Sequence, residues 1–337
     1  MEISSYPLTK DIVKLLLKDH TTKQNLLFAT DSYASFGFKE TDEIPLNAVY
    51  NKDSEIPPLI KFRFEKDKET TKKRVKQKGE VFTPAWVCNA QNNLVDDVYL
   101  GKKEQFNREI EENHTWIINK KKVKFPKGKT WQDYVLSNRL EITCGEAPYL
   151  VSRYDAPTGT PIDVENRIGL LDRKLRVVSE NTKSKDDWFF WTDKAYKSIY
   201  GYEYQGDNVF LARKNLLFTF FDYYEHKFKE DFSLISNDIV KSIARIIVWN
   251  IFQMDGLKCV IPLSCEKNAK LKQEPSLFDD AEFKQVVVCE GCKDREYIKN
   301  IRKHIGTYVK IKDWEKNKII HFVDLIHDDD EEVKNGK

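Results

Sequence analysis

The chain has 337 residues, 40% hydrophobic and 12% aromatic, enough apolar material for one large or two modest cores. Its 56 Lys and Arg nearly balance 54 Asp and Glu, and the net charge of +2 excludes a purely electrostatic nucleic-acid binder, leaving only local basic surfaces. No run of about 18 apolar residues spans a membrane, early charge in MEISSYPLTKDIVKLLLKDH argues against a secretory signal, and six scattered cysteines fit a reducing, cytoplasmic compartment.

In residues 1–35, Ile12, Leu15, Leu16 and Leu17 share one side of a helix, with Thr9 as a cap. Pro45, Pro57 and Pro58 make residues 40–62 a loop with short extended pieces. Residues 65–78, EKDKETTKKRVKQK, read as a solvated helix face or as a local phosphate-facing patch. GEVFTP (79–84) then opens an amphipathic helix, with Thr83 as the cap and Pro84 as the first helical residue. KKKVK (120–124) is a second basic run and reads as a solvated face.

Residues 139–150, RLEITCGEAPYL, read as a short strand, a small-residue turn, and a helix beginning at Pro148. Such a turn leaves backbone N–H groups for a ligand, although a purely structural strand–turn–helix has the same pattern. An inserted loop and helix occupies 155–197, with IGLLDRKLRVV as its periodic segment. WFFW (188–191) is either aromatic core or a base-stacking surface. SIYGYEY (198–204) is the next strand, followed by helices over 209–221 and 237–250. A short extended piece precedes Asp255 and continues through 259–263. Strands over 284–288 and 307–311 flank a basic helix at 295–304, and HDDDEEVKNGK forms an acidic tail without fixed structure. Strands alternating with helices imply an α/β fold with a parallel sheet.

A parallel sheet binds its ligand at the carboxyl ends of its strands. Phe82, Thr83 and Pro84 precede a helix start, and Gly145 permits close backbone approach. Glu203 ends the second strand, where an acid accepts ribose hydroxyl protons, and Asp255 follows the third, where an acid accepts from an exocyclic amine. Singly, each acid reads as a surface carboxylate; their joint order favours a site.

These stretches resemble the N6-adenine DNA methyltransferases of restriction–modification systems, over residues 79 to about 260. GEVFTP is similar to G-x-x-F-T-P, and LEITCGEAPYL to D-P-x-C-G-S-G-x-F-L, with Glu141 for Asp and Ala147 for the second Gly. IYGYEYQGDNVFLARKNLL resembles G-x-E followed by A-R-x-N-L, and WNIFQMDGL resembles a motif ending in Asp-x-Leu. The resemblance implies a Rossmann-like class I methyltransferase sheet, truncated after its fourth strand. It divides the chain into an N-terminal extension (1–78), an α/β domain (79–326) with the insertion at 155–197, and the tail (327–337). S-adenosylmethionine would be held by Phe82, Thr83, Pro84, Glu141, Cys144, Gly145, Ala147, Glu203 and Asp255. DNA would be the substrate, with a restriction or specificity subunit as a partner.

The family's Asn/Asp-Pro-Pro-aromatic motif is missing. Asp313 and Trp314, in KIKDW, supply a carboxylate and an aromatic ring at its expected place, and are the candidate catalytic residues. The sequence therefore supports an adenine-specific methyltransferase, or a degenerate cofactor- or DNA-binding subunit that needs a partner chain, or a retained fold with an empty pocket. Cys289-Glu-Gly-Cys292 with Cys265, Cys259 or His304 admits a zinc site. The irregular spacing favours unrelated reduced cysteines, so no metal ligand is assigned.

Overall fold

The computed structural model describes residues 6–51, 58–62, 65, 83–269, 271–273, 284–286 and 288–326. Most of GEVFTP, including Phe82, lies outside the described residues, as do most of the basic run at 65–78 and the acidic tail.

Helix α1 (Lys10–Leu17) begins where Thr9 Oγ1 accepts the Ile12 N–H, and it buries Ile12, Val13, Leu16 and Leu17. It occupies eight residues of the expected 1–35, and the chain beyond it runs in turns and single bridges. Helix α2 (Ala85–Leu100) starts one residue later than expected, with Pro84 at the cap position and no capping side chain of its own. Its first N–H is satisfied from far away: Ala85 N donates to Asp155 Oδ1 at 2.7 Å.

The antiparallel pair β1 (Asn107–Ile110) and β2 (Thr115–Ile118) follows, then α3 (Trp131–Leu136) with a Thr130–Asp133 capping box. Strand β3 (Arg139–Glu141) leads not into a helix at Pro148 but into irregular turns over 142–150. Two apolar-periodic helices, α4 (Leu170–Asn181) and α5 (Lys185–Lys197), then carry the chain to β4 (Ile199–Glu203). Trp188 of α5 is fully buried against Phe220 and Phe228, so WFFW contributes to the core.

Helix α6 (Gly206–Phe228) is buried almost all round through Tyr224, as befits the central helix of a layered core. Helix α7 (Asn237–Asn250), capped by Ser236, places Val240, Ile243, Ala244 and Ile247 on one buried stripe and feeds β5 (Ile251–Gln253). The strands pair in parallel in the order β3-β4-β5.

After β5 the expectations fail locally. Residues 259–263 turn instead of extending, because Cys259 and Leu263 are left-handed at φ 56° and 61°. A short helix α8 (Ser264–Asn268) and the antiparallel pair β6 (Leu271–Gln273) and β7 (Lys284–Val286) follow. No α-helix forms over 295–304: a 3-10 segment, Glu290–Arg295, ends at left-handed Arg295, and turns continue. Strand β8 (Lys310–Asp313) is not a fourth parallel strand. It pairs antiparallel with β9 (Lys318–His321) around a turn in which Asn317 is left-handed.

The hairpin lies over the sheet, where Tyr200 donates to Lys312 O and Phe322 meets the rings of Tyr202 and Phe252. A small core forms there from Phe252, Met254, Ile261, Val309 and Ile311, apart from the main core that runs from Tyr6 to Ile251. The architecture is thus mixed α/β, with one three-stranded parallel sheet and small antiparallel pairs. Among the described residues no helix is long and apolar enough to cross a membrane.

Candidate cofactor cavity

A cavity of about 770 Å³ opens at the carboxyl ends of β3 and β4, within the range of small-molecule sites. Thr83, Glu141, Cys144, Gly145 and Glu203 line it, together with Gln91, Asn92 and Val95 of α2. The turn after β3 is tightly wound: Thr143, Gly145 and Ala147 all have positive φ, at 47°, 53° and 66°. For a β-branched residue such a conformation is rare and strained. The side of Gly145 where a Cβ would point is open, leaving room for a ligand against the backbone.

Two buried carboxylates hold this turn from adjacent strands. Glu141 accepts from Tyr149 N at 3.3 Å and Leu150 N at 3.2 Å, folding the segment back on its own strand. Glu203 accepts from Gly145 N at 3.0 Å, Tyr204 N at 2.9 Å and Gln205 N at 3.1 Å. A carboxylate offers about four lone-pair sites, so Glu203 keeps one for a ligand hydroxyl. Burial pushes the Glu141 carboxyl up to about 8, against the pull of the two N–H groups, and the charge of Glu203 adds to the rise. Burial raises Glu203 as well, opposed by its three N–H donors.

Glu146, unassigned by the sequence reading, also lines the cavity and accepts from Tyr154 Oη at 2.5 Å. Asn215, within ARKNL, donates to Glu146 O and to Tyr154 Oη, so that motif props the turn from behind. Asp155 was likewise missed. Its capping of α2 joins residues 70 apart, which no local pattern discloses. With three glutamates on its wall, the cavity presents no Lys, Arg or His among the described residues.

Pro84 and Ala147 adjoin the cavity without lining it, and Asp255 lies beyond it at the end of β5. The Asp255 carboxylate accepts from Leu257 N at 3.1 Å and pairs with Lys258 at 3.3 Å. Asp313 and Trp314 are elsewhere, on a second cavity of about 390 Å³ that shares only Leu140 with the first. Asp313 Oδ1 is occupied by the N–H groups of Glu315 and Lys316, stabilising the hairpin turn. Trp314 Nε1 donates to Asn250 Oδ1 at 2.8 Å, and its ring is met by the ammonium groups of Lys312 and Lys197 at 4.5 and 5.3 Å. Neither side chain lies beside the turn after β3, where a catalytic pair was expected: Asp313 closes the hairpin turn and Trp314 ties the hairpin to α7. The six cysteines are free thiols, and those at 265, 289 and 292 converge on His304, so the expectation of unrelated cysteines does not hold in space. Compared with known proteins, the chain matches no family model, no curated protein and no solved structure.

Proposed function

We propose that the first cavity binds S-adenosylmethionine on a Rossmann-like methyltransferase sheet, and that the chain acts in methylation of adenine N6 in DNA. The observation that carries this reading is a cavity at the carboxyl ends of two parallel strands, walled by buried carboxylates and free of cationic side chains among the described residues. Such a wall repels polyphosphates and attracts a sulfonium or ammonium, while Glu203 has one acceptor site left for a ribose hydroxyl. In this reading Phe82, Thr83 and Pro84 flank the methionine end. Glu141 faces the ammonium, the Cys144–Gly145 backbone, with Ala147 behind it, borders the sulfonium, and Asp255, paired with Lys258 outside the cavity, would meet only adenine that extends past it toward the end of β5. DNA as substrate is supported by the second cavity, where Arg139, Lys194, Lys197 and Lys312 surround Tyr200 and Trp314.

Catalysis is positioning of the amine against the sulfonium methyl. The engaged state of Asp313 and Trp314 favours the form of this proposal in which a partner chain supplies the substrate-side groups. The edge of β3 away from β4 is unpaired among the described residues, a place for such a partner. Transfer of labelled methyl groups to DNA tests the proposal, with the chain alone and with candidate restriction or specificity subunits. We expect transfer to require the partner and to survive Asp313→Ala. No transfer with any partner, from protein that binds the cofactor, would remove the enzymatic part of the reading.

A further inference from the structure

Beyond the cofactor cavity, four side chains from distant parts of the sequence meet at one point. The geometry points to a structural zinc site formed by Cys265, Cys289, Cys292 and His304. The three sulfurs lie 3.8, 3.7 and 3.6 Å from His304 Nδ1, and all four ligand atoms fall within 4.8 Å of one another. With zinc–sulfur and zinc–nitrogen bonds of about 2.3 and 2.0 Å, a tetrahedron has an S···N edge of about 3.5 Å. The observed spacings are therefore those of a metal site, and three near-equal edges to one nitrogen are not what a chance meeting of thiols produces.

The surroundings fit the same reading. Ile305 N donates to Cys289 Sγ at 3.4 Å, the kind of N–H···S contact that steadies a metal-bound thiolate. A Cβ on Gly291 would sit 2.5 Å from His304 Nδ1, and one on Gly306 would sit 2.9 Å from Cys265 Sγ. Glycine at both positions lets the chain close around the cluster. Cys265, Cys289 and His304 are buried, yet the apolar cluster beside them contains little more than Val260, Ile305 and Tyr308. Residues 288–307 hold only a 3-10 segment, turns and bends, so this part of the chain has too little core and too little regular structure to hold itself.

Three sulfurs and one imidazole select a borderline-soft divalent ion, and a full set of four protein ligands leaves no open position for catalysis. On binding, each thiol releases its proton to solvent and His304 gives the Nδ1 lone pair, leaving a site of net charge −1; Lys258 is close enough to Cys292 to compensate it. The ion would fasten α8 to the segment that returns through Tyr308. That segment bridges to Val260, itself bridged to Asp255 at the end of β5.

Metal analysis of the full-length chain, purified without added metal or chelator, tests the site. We expect about one zinc per chain, loss of zinc in Cys292→Ser and in Gly291→Ala, and retention in Cys259→Ser, since Cys259 lies outside the cluster. Because a variant can fail to fold, the same test is made on the unaltered chain. Stripping with a strong chelator should lower its melting temperature, zinc should restore it, and cobalt(II) should give thiolate-to-cobalt absorption. Reduced protein that holds no zinc and develops no such absorption with cobalt(II) would overturn the site, as would equal zinc loss in Cys259→Ser.

Discussion

Glu141 has a structural role and, in the proposed function, a ligand to face. Its carboxylate clasps the backbone of residues 149 and 150, while burial raises its titration to about 8. In the free protein a raised acid favours the folded state most below its ordinary value. This contribution declines as pH rises through about 8 and the buried group is forced to ionise. A bound cation reverses the balance by favouring the carboxylate, so affinity for a cationic ligand should climb with pH and level off above that value. The neighbouring strain is a separate matter. Thr143 is exposed and left-handed, so Thr143→Asn, which tolerates that conformation, should raise stability by about 0.5–1 kcal/mol in denaturant unfolding. Ala147 differs: its methyl is fully buried, worth about 0.8 kcal/mol, which roughly offsets relief of a left-handed strain of about 1–2 kcal/mol. Ala therefore stands without large penalty where the methyltransferase motif has Gly.

At the scale of elements, the readable parts were those with local signals. The helix over 237–250 and the strand within 198–204 were read close to their observed bounds, and Thr9 marked the start of α1. The helix expected at Pro148 failed because a run of left-handed residues and the Glu141 clasp consume the backbone there. The hairpin was misread because its turn uses Asp313 and Asn317, without glycine or proline, and resembles a strand end in sequence. Arg213 was legible only as a motif letter, and its role is tertiary. Fully buried on α6, it donates to Leu16 O, Lys18 O, Val248 O and Ile251 O at 2.6–3.1 Å, binding α1, α7 and β5 together. Burial brings its guanidinium down to about 10, so it remains charged at neutral pH. Arg213→Met should cost about 3 kcal/mol or more by leaving these carbonyls without donors, measured as a lower midpoint in urea.

Across the whole molecule, the order of strands and the acids at their ends were visible in sequence, whereas the joins between distant segments were not. The first 62 residues are an example: Gln253 exchanges two hydrogen bonds with the Leu27 backbone, and a Cβ on Gly206 would strike Leu27 O at 2.0 Å. The segment around Leu27 is therefore packed on the sheet and the central helix, although the resemblance set residues 1–78 apart as an extension. The cysteine–histidine cluster is the same lesson in another form. Its ligands come from α8, from the cap and the interior of a 3-10 segment and from a loop, and only folding makes their irregular spacing regular. The first cavity combines both kinds of information, since Glu141, Gly145 and Glu203 were named from sequence and Glu146 and Asp155 were not.

The most direct test of the central claim is a calorimetric titration of the chain with S-adenosylmethionine near pH 6 and near pH 7.5. The account predicts one site, tighter at the higher pH as Glu141 begins to ionise while the ligand's amine stays largely protonated. It also predicts loss of that site in Glu203→Ala and no competition from ATP. Absence of binding at both pH values, or equal binding of ATP, would contradict it.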